Sequence, residues 1–196
     1  MLENRTPITY LKPKDGKMLA YKGKDENGVT KFEKYDRVGG MLTDITVKFG
    51  EYNGEETKNW QLRLQDGEET YIVTFGYSSG FSRGMFNSLA NADLNKPVKI
   101  GCYVKNEYNC PSVIQEGVGI VRWKYGVDAI PKTEKVQVGS KEVINDEKAV
   151  DWMLKVVEDI KARLPKVSTT ESVSTDNALE IMGGELIEEA EKKSLE

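Results

Sequence analysis

An alternation of apolar and polar residues begins after residue 40 and is the clearest pattern in the chain. One face of the predicted strand holds Met41, Thr43, Ile45, Val47 and Phe49, and the other face holds Leu42, Asp44, Thr46 and Lys48. A period of two residues is typical of a half-buried strand. The pair Gly39 and Gly40 at its start predicts a bulge or a sharp bend.

Two further strands complete a predicted antiparallel meander. The second strand alternates between inward Trp60, Leu62 and Leu64 and outward Gln61, Arg63 and Gln65, and the third places Tyr71, Val73 and Phe75 on one face. Asn53 with Gly54, and Asp66 with Gly67, are hairpin signals between these strands.

The periodicity changes after the third strand. Residues 79–91 predict one short amphipathic helix. A fourth strand starts at Pro97, with Val98, Ile100, Cys102 and Val104 inward and Lys99, Tyr103 and Lys105 outward. A fifth strand lies within 113–125. Five antiparallel strands with a helix between the third and fourth predict a mainly β protein, a five-stranded OB-fold barrel.

The flanking segments differ in composition from this centre. The predicted organisation is an N-terminal extension 1–33 with one short strand at 18–21, an OB-fold domain 34–126, a linker 127–144, an amphipathic helix 145–165 and an acidic flexible tail 166–196. Asn145 is the predicted N-cap of the helix, and Pro165 ends it. The apolar stripe of this helix predicts packing on the barrel or self-association through residues 146–164.

Composition excludes several kinds of chemistry. The chain has no histidine, which rules out Ser-His-Asp and Cys-His catalysis and histidine-containing zinc sites. Cys102 and Cys110 are too few for a four-thiolate metal site, and we expect both to be reduced, with Cys102 in the core. We also expect no membrane span and a cytoplasmic location, the host cytoplasm if a phage encodes the chain, because no apolar run of about 18 residues and no signal core occur.

The charge is unevenly distributed along the chain. Residues 1–141 hold 21 Lys and Arg and 18 Asp and Glu, a balance of +3, whereas residues 142–196 hold 7 and 14, a balance of −7. A mildly basic body joined to an acidic tail is one arrangement found in nucleic-acid-binding proteins.

Motifs for catalysis are weak. Residues 76–80 match the G-x-S-x-G pattern of serine hydrolases, but the chain has no histidine to act as base, so we interpret them as a loop before the helix. The same stretch lacks the Gly-Lys-Ser/Thr of a phosphate-binding P-loop, although its amides and Arg83 suit phosphate contact. We therefore predict no catalytic residues, no metal and no cofactor.

A binding surface is the remaining candidate, since single-strand binders combine cations along a groove with rings that stack on bases. The predicted nucleic-acid-binding residues are Arg63, Tyr77, Phe81, Arg83, Lys99, Tyr103, Lys105, Arg122 and Lys124. Trp60, Tyr71, Phe75 and Phe86 are predicted to belong to the core instead.

The stretch 36–125 resembles the OB-fold single-stranded-DNA-binding proteins of bacteriophages and related mobile elements. The resemblance rests on residues 38–40, the Trp60 strand, residues 77–80 leading into the helix, residues 93–97, and Arg122, Trp123, Lys124 and Tyr125. It implies coating of single-stranded DNA in replication or recombination, and an acidic tail that recruits partner proteins. Tails of that family commonly end in an aromatic residue, whereas this chain ends in Lys192, Lys193, Ser194, Leu195 and Glu196.

Three hypotheses for function follow. The first is a non-enzymatic, sequence-tolerant single-stranded-DNA-binding protein. The second is an OB-type protein-interaction or assembly module of a phage, with the exposed rings in a protein interface. The third is a nuclease with a carboxylate-bound metal, for which no cluster of Asp and Glu is evident in the sequence.

Overall fold

A computed structural model of the chain describes residues 7–52, 54–138 and 141–165. Nine strands form one sheet: β1 (Ile8–Lys14), β2 (Lys17–Lys24), β3 (Thr30–Tyr35), β4 (Arg37–Tyr52), β5 (Glu55–Asp66), β6 (Glu69–Gly76), β7 (Val98–Lys105), β8 (Tyr108–Gln115) and β9 (Gly119–Ile120). Helix α1 (Gly80–Leu89) lies between β6 and β7, and helix α2 (Glu147–Ala162) follows the sheet. A mainly β fold with a helix between the third and fourth predicted strands and a C-terminal helix is therefore confirmed.

The sheet is curled but open, so the prediction of a closed five-stranded barrel is wrong. Its strand order is β3-β2-β1-β6-β5-β4-β7-β8-β9, and β3 and β9 form the two edges. A closed barrel would require β6 to pair with the last strands. Instead, the free edge of β6 is taken by β1 in a parallel pairing, and β8 pairs with β9 on its outer side.

The residues before β4 contribute three strands, where the sequence pattern predicted only one short strand at 18–21. The turn between β1 and β2 contains Asp15 and Gly16, both with positive φ. The Gly16 amide donates to Asn109 Oδ1 at 3.0 Å. This backbone-to-side-chain hydrogen bond connects the N-terminal hairpin to the β7–β8 hairpin.

The predicted bend at Gly39 and Gly40 is the place where β4 changes partners. Residues 37–40 pair with β7, and residues 41–52 pair with β5. A Cβ atom on Gly40 would lie 2.7 Å from the carbonyl oxygen of Gln65, so this crossing requires glycine. The pairing with β5 then skips Thr43, which is a bulge.

The bulge corrects the predicted faces of β4. Leu42 and Ile45 are both buried, at 1% and 0% exposure, although strict alternation placed them on opposite faces. Because a bulge adds one unpaired residue, it reverses the phase of the side chains that follow it. The inward residues are therefore Leu42 before the bulge and Ile45 after it.

The core lies on one face of the sheet and beneath the two helices. One row of directly paired residues crosses five strands through Ala20, Leu11, Val73, Leu62 and Ile45, all of them buried. Trp60, Phe75, Phe86 and Cys102 belong to the same core, as predicted, and Tyr71 packs against it with part of its surface exposed.

Ser79 is the N-cap of α1, since its Oγ accepts a hydrogen bond from the Ser82 amide at 3.1 Å. Helix α2 begins after Asp146, one residue later than the predicted cap, although Asn145 Oδ1 still accepts from the Glu147 amide. Its buried stripe, which includes Met153, packs within this chain.

Between β9 and α2 the predicted linker contains a short 3₁₀ turn (Val127–Ala129) and a hairpin of β10 (Glu134–Val138) and β11 (Lys141–Asn145). Within the described residues, neither helix is long and apolar enough to cross a bilayer. The predicted tail 166–196 lies outside the described residues.

Candidate nucleic-acid interface

Strands β7 and β8 carry the densest group of exposed rings and cations. Lys99, Tyr103 and Lys105 are exposed and occupy the positions of β7 that alternate with the buried Val98, Ile100 and Cys102, so all three point away from the core. Tyr108 is directly opposite Lys105 in the pairing of the two strands and therefore shares their face. We call this outer surface, defined by Lys99, Tyr103, Lys105 and Tyr108, the β7–β8 face.

The rings of the β7–β8 face are exposed to solvent. Tyr103 retains 48% of its accessible surface and Tyr108 retains 76%. Exposed rings of this size are available for stacking, whereas most large apolar side chains of the chain are buried. Partial burial raises the pKa of the Tyr103 hydroxyl, so this ring is neutral at physiological pH.

Two arginines extend this face. Arg37 is paired with Gly101 at the start of β4, next to β7. Arg122 follows β9 and lines a groove together with Arg37 and Tyr103. Within residues 7–52, 54–138 and 141–165, no ion pair involves Arg37, Lys99, Lys105 or Arg122. No described carboxylate therefore lies at ion-pair distance from the four positive charges, although the charge of Arg37 contributes to the lowered pKa of Asp36, whose main cause is Lys17.

Four of the nine predicted residues therefore lie together, namely Lys99, Tyr103, Lys105 and Arg122. The predicted residue Lys124 is next in the chain but points elsewhere. Its Nζ donates to Asp159 of α2 at 3.2 Å, and this bond is the main reason that its pKa is raised.

The three predicted residues around the start of α1 have different environments. Phe81 is only 6% exposed and packs on Phe75 with ring centroids 5.2 Å apart, so its ring is part of the core and is not presented to a ligand. Tyr77 stacks on Trp60 at 5.0 Å and accepts a hydrogen bond from the indole through its carbonyl oxygen. Arg83 is half-buried on α1.

Arg63 lies on the outer face of β5, away from β7. It is half-buried, and its directly paired neighbour Ile72 is in turn paired with Tyr10. Burial raises the pKa of Tyr10, and the positive charges of Arg63 and Lys48 partly offset that increase. Arg63 therefore belongs to a second polar surface, separate from the β7–β8 face along the sheet.

Sequence reasoning missed Arg37, Tyr108 and Trp123. Trp123 is 47% exposed and lies in the same groove as Arg37. It follows Arg122 directly, in a segment that has no strand pairing of its own, so the period-two pattern does not assign it a face. Arg37 and Tyr108 both stand outside the predicted strands.

No carboxylate or thiol cluster competes with this interpretation in the part of the chain that is described, where no three Cys, Asp or Glu side chains converge as metal ligands would. Comparison with known protein families, with curated protein sequences and with solved structures finds no match for this chain.

Proposed function

We propose that the protein binds single-stranded DNA without sequence preference and without catalysing a reaction, and that it acts in replication or recombination. One observation carries this proposal. Three exposed rings, Tyr103, Tyr108 and Trp123, lie beside four cations that have no described ion-pair partner, Arg37, Lys99, Lys105 and Arg122.

Each kind of side chain contributes in a different way. A base stacked on an exposed ring contributes about 1–3 kcal/mol, and any base provides the required flat face. Lysine and arginine displace counterions from phosphates, which makes binding weaker as salt increases. Bases of a duplex are already stacked on one another, so a surface of exposed rings favours an unpaired strand.

Fluorescence anisotropy of a labelled oligo-dT across salt concentrations tests the proposal. We expect Lys105→Ala to reduce the magnitude of the slope of log affinity against log salt by about 0.7, the value for one lost phosphate contact on a single strand. Lys31→Ala is the matched control, because Lys31 is an exposed lysine on β3 at the opposite edge of the sheet. Absence of binding at low salt, or equal effects of both variants, would contradict the proposal.

A gel-shift comparison then defines the kind of nucleic acid. Purified protein is mixed with single-stranded DNA, duplex DNA or RNA of equal length. Preferential retardation of the single-stranded DNA is the expected result, and a preference for duplex DNA would exclude the proposed stacking.

A protein-interaction or assembly module is the second candidate, and one observation favours it. Val104, Val118 and Ile120, on or near β7 to β9, are 52%, 66% and 70% exposed, which is typical of a protein interface as well. Deletion of residues 167–196 distinguishes the two. This segment holds 8 acidic residues and 2 lysines, so its removal should strengthen DNA binding through the cations, whereas a module that binds only protein would gain no DNA affinity.

A further inference from the structure

A groove of about 670 Å³ lies along β8, between Arg37 on the outer side of the sheet and Trp123, which packs against α1. Its lining also includes Tyr103, Ser112 and Arg122. This volume falls within the range of about 300–1,000 Å³ that is typical of small-molecule sites. We call it the Arg37–Trp123 groove.

The close packing beside the groove requires a glycine at position 101. A Cβ atom on Gly101 would lie 2.8 Å from Ser112 Oγ and 3.0 Å from Arg37 Cγ. The aliphatic part of Arg37 therefore packs against β7 at Gly101. Asp36 also lines the groove, and its carboxylate is bonded to Lys17. This bond is the main reason that the pKa of Asp36 lies below the usual range, and the charge of Arg37 contributes to the same effect.

The opposite wall is held in place by hydrogen bonds to its backbone. The Val121 amide donates to the Val113 carbonyl oxygen at 2.8 Å, and Asn91 Nδ2 donates to the Arg122 carbonyl oxygen at 3.1 Å. Two residues later, the Lys124 amide donates to the Asn87 carbonyl oxygen at 3.1 Å. The backbone on both sides of Trp123 is therefore fixed.

The indole of Trp123 also packs against α1 and β8. Trp123 Cζ2 lies 3.6 Å from the position of a Cβ on Gly84, a buried glycine of α1, and Pro111 lies closer still to the same position. The ring thus rests against α1 and β8 and leaves about half of its surface open. A ring and an arginine that are already positioned lose little conformational entropy when a ligand binds.

From this geometry, and resting on the proposed function, we infer that the Arg37–Trp123 groove is a fixed subsite for one nucleotide of the bound strand. Arg37 and Arg122 bind its phosphate, and Trp123 stacks on its base. Arginine suits this role because its planar guanidinium donates two parallel hydrogen bonds to phosphate oxygens. Lys99, Lys105 and Tyr108 contact the neighbouring nucleotides.

Tryptophan fluorescence isolates this subsite from the rest of the surface. Of the three tryptophans of the chain, Trp60 is 2% exposed in the core and Trp152 packs on Tyr125 with ring centroids 5.8 Å apart. Stacking of a base should therefore quench Trp123 in particular. We expect oligo-dT to quench the wild-type protein and Trp152→Phe, and to cause almost no quenching in Trp123→Phe.

Affinity measurements provide the second readout. Trp123→Ala and Arg37→Ala should each weaken binding of oligo-dT about tenfold, which is within the range for one stacked base or one charged contact. Lys31→Ala should leave it unchanged. Thymidine monophosphate should compete with labelled oligo-dT at lower concentration than thymidine does, because only the former carries the phosphate.

The outcomes separate the subsite from the proposed function. If oligo-dT binds but Trp123→Phe is still quenched, and Arg37→Ala and Trp123→Ala bind normally, the subsite is refuted while single-strand binding stands. If anisotropy shows no binding of oligo-dT to the wild-type protein, the proposed function fails, and the subsite fails with it. Circular dichroism of each variant, and emission of the buried Trp60, verify that the variants are folded.

Discussion

The side-chain amide of Asn87 in α1 holds the backbone of Tyr125 on both sides. Its Nδ2 donates to the Tyr125 carbonyl oxygen at 2.9 Å, and its Oδ1 accepts from the Tyr125 amide at 2.8 Å. Asn87 is completely buried, so water cannot reach its side-chain amide, and these two hydrogen bonds satisfy it instead. This two-point contact fixes the end of the segment that carries Arg122 and Trp123.

Removal of this contact should destabilise the fold. We expect Asn87→Ala to lower the free energy of unfolding by about 2–4 kcal/mol, because two hydrogen bonds are lost and buried polar groups are left without partners. Asn91→Ala is the comparison, since Asn91 is exposed and donates only to the Arg122 carbonyl oxygen. We expect Asn91→Ala to lower the free energy of unfolding by less than about 1 kcal/mol. Urea denaturation of both variants measures the difference, and equal midpoints would contradict it.

Gly40 and Gly39 should differ sharply in their tolerance of alanine. A Cβ on Gly40 would lie 2.7 Å from the backbone carbonyl oxygen of Gln65, at a φ of +153°, so neither backbone can relax easily. A Cβ on Gly39 would meet only the flexible Lys99 side chain at 3.3 Å and the Val98 carbonyl oxygen at 3.7 Å. We expect Gly40→Ala to lower the free energy of unfolding by at least about 2 kcal/mol and Gly39→Ala to lower it much less. Thermal denaturation of the two variants checks this order.

Two threonines on the same face of β6 should respond oppositely to valine. The Thr74 hydroxyl is buried and has no hydrogen-bond partner among the described residues, whereas the Thr70 hydroxyl donates to Gln65 Oε1 at 2.8 Å. Thr74→Val removes an unsatisfied polar group and should raise stability by up to about 1 kcal/mol, while Thr70→Val breaks a bond and should lower it by about 1 kcal/mol. Chemical denaturation that shows the same sign for both would refute this assignment.

The two cysteines should differ in reactivity. Cys102 is 7% exposed, and burial raises the pKa of its thiol to about 11, whereas Cys110 is half-buried on the outer side of β8. With a disulfide reagent at pH 8, we expect one rapidly modified thiol, which Cys110→Ser removes and Cys102→Ser leaves in place. Two fast thiols in the folded protein would show that Cys102 is accessible.

The same thiol predicts a pH dependence of stability. Between pH 9 and pH 11 the unfolded chain loses the Cys102 proton while the folded chain retains it, because the folded pKa is raised from 9.0 to about 11. The unfolded state is favoured in this window, so stability should fall as pH rises through it. Other groups titrate there as well, so the measurement is the free energy of unfolding of wild type minus that of Cys102→Ala, which should decrease as pH rises from 9 to 11.

The β7–β8 face offers a separate test of its rings. Tyr103→Ala should weaken binding of oligo-dT while leaving the salt slope almost unchanged, because a tyrosine contributes stacking but no charge. Arg122→Ala should reduce the slope. Anisotropy at several salt concentrations measures both, and a changed slope in Tyr103→Ala would show that its role is not stacking.

The strands in the centre of the chain were predictable because each has one buried face. Trp60, Leu62 and Leu64 alternate with polar residues, and all three are buried as predicted. The same reasoning placed Leu42 and Ile45 on opposite faces of β4 although both are buried, since a bulge at Thr43 leaves no mark in a pattern of apolar and polar residues. The strand pattern of residues 8–35 was mostly missed because β1 is stabilised by a partner about sixty residues away in sequence.

For the candidate site too, the residues on a regularly alternating strand were predictable, and the residues placed by tertiary contacts were not. Lys99, Tyr103 and Lys105 were predicted from alternation along one strand, and the structure places them on one surface. Arg37 and Trp123 line a groove with Tyr103 only because β4 pairs with β7 and Trp123 packs against α1, so no local pattern indicates them. Phe81 shows the converse, because its place near a glycine-rich loop suggested exposure while its contacts with Phe75 bury it.

The parallel pairing of β1 with β6 has a practical consequence for anyone shortening this protein. A truncation that starts the chain at residue 34, where the predicted N-terminal extension ends, would remove Ile8–Lys14 from the sheet and expose the backbone donors and acceptors along 70–73 of β6. Unprotected strand borders of this kind recruit other chains. The truncated protein should therefore aggregate. Its precipitation would be caused by the exposed edge of β6, from which β1 has been removed, and not by a failure of the remaining residues to fold.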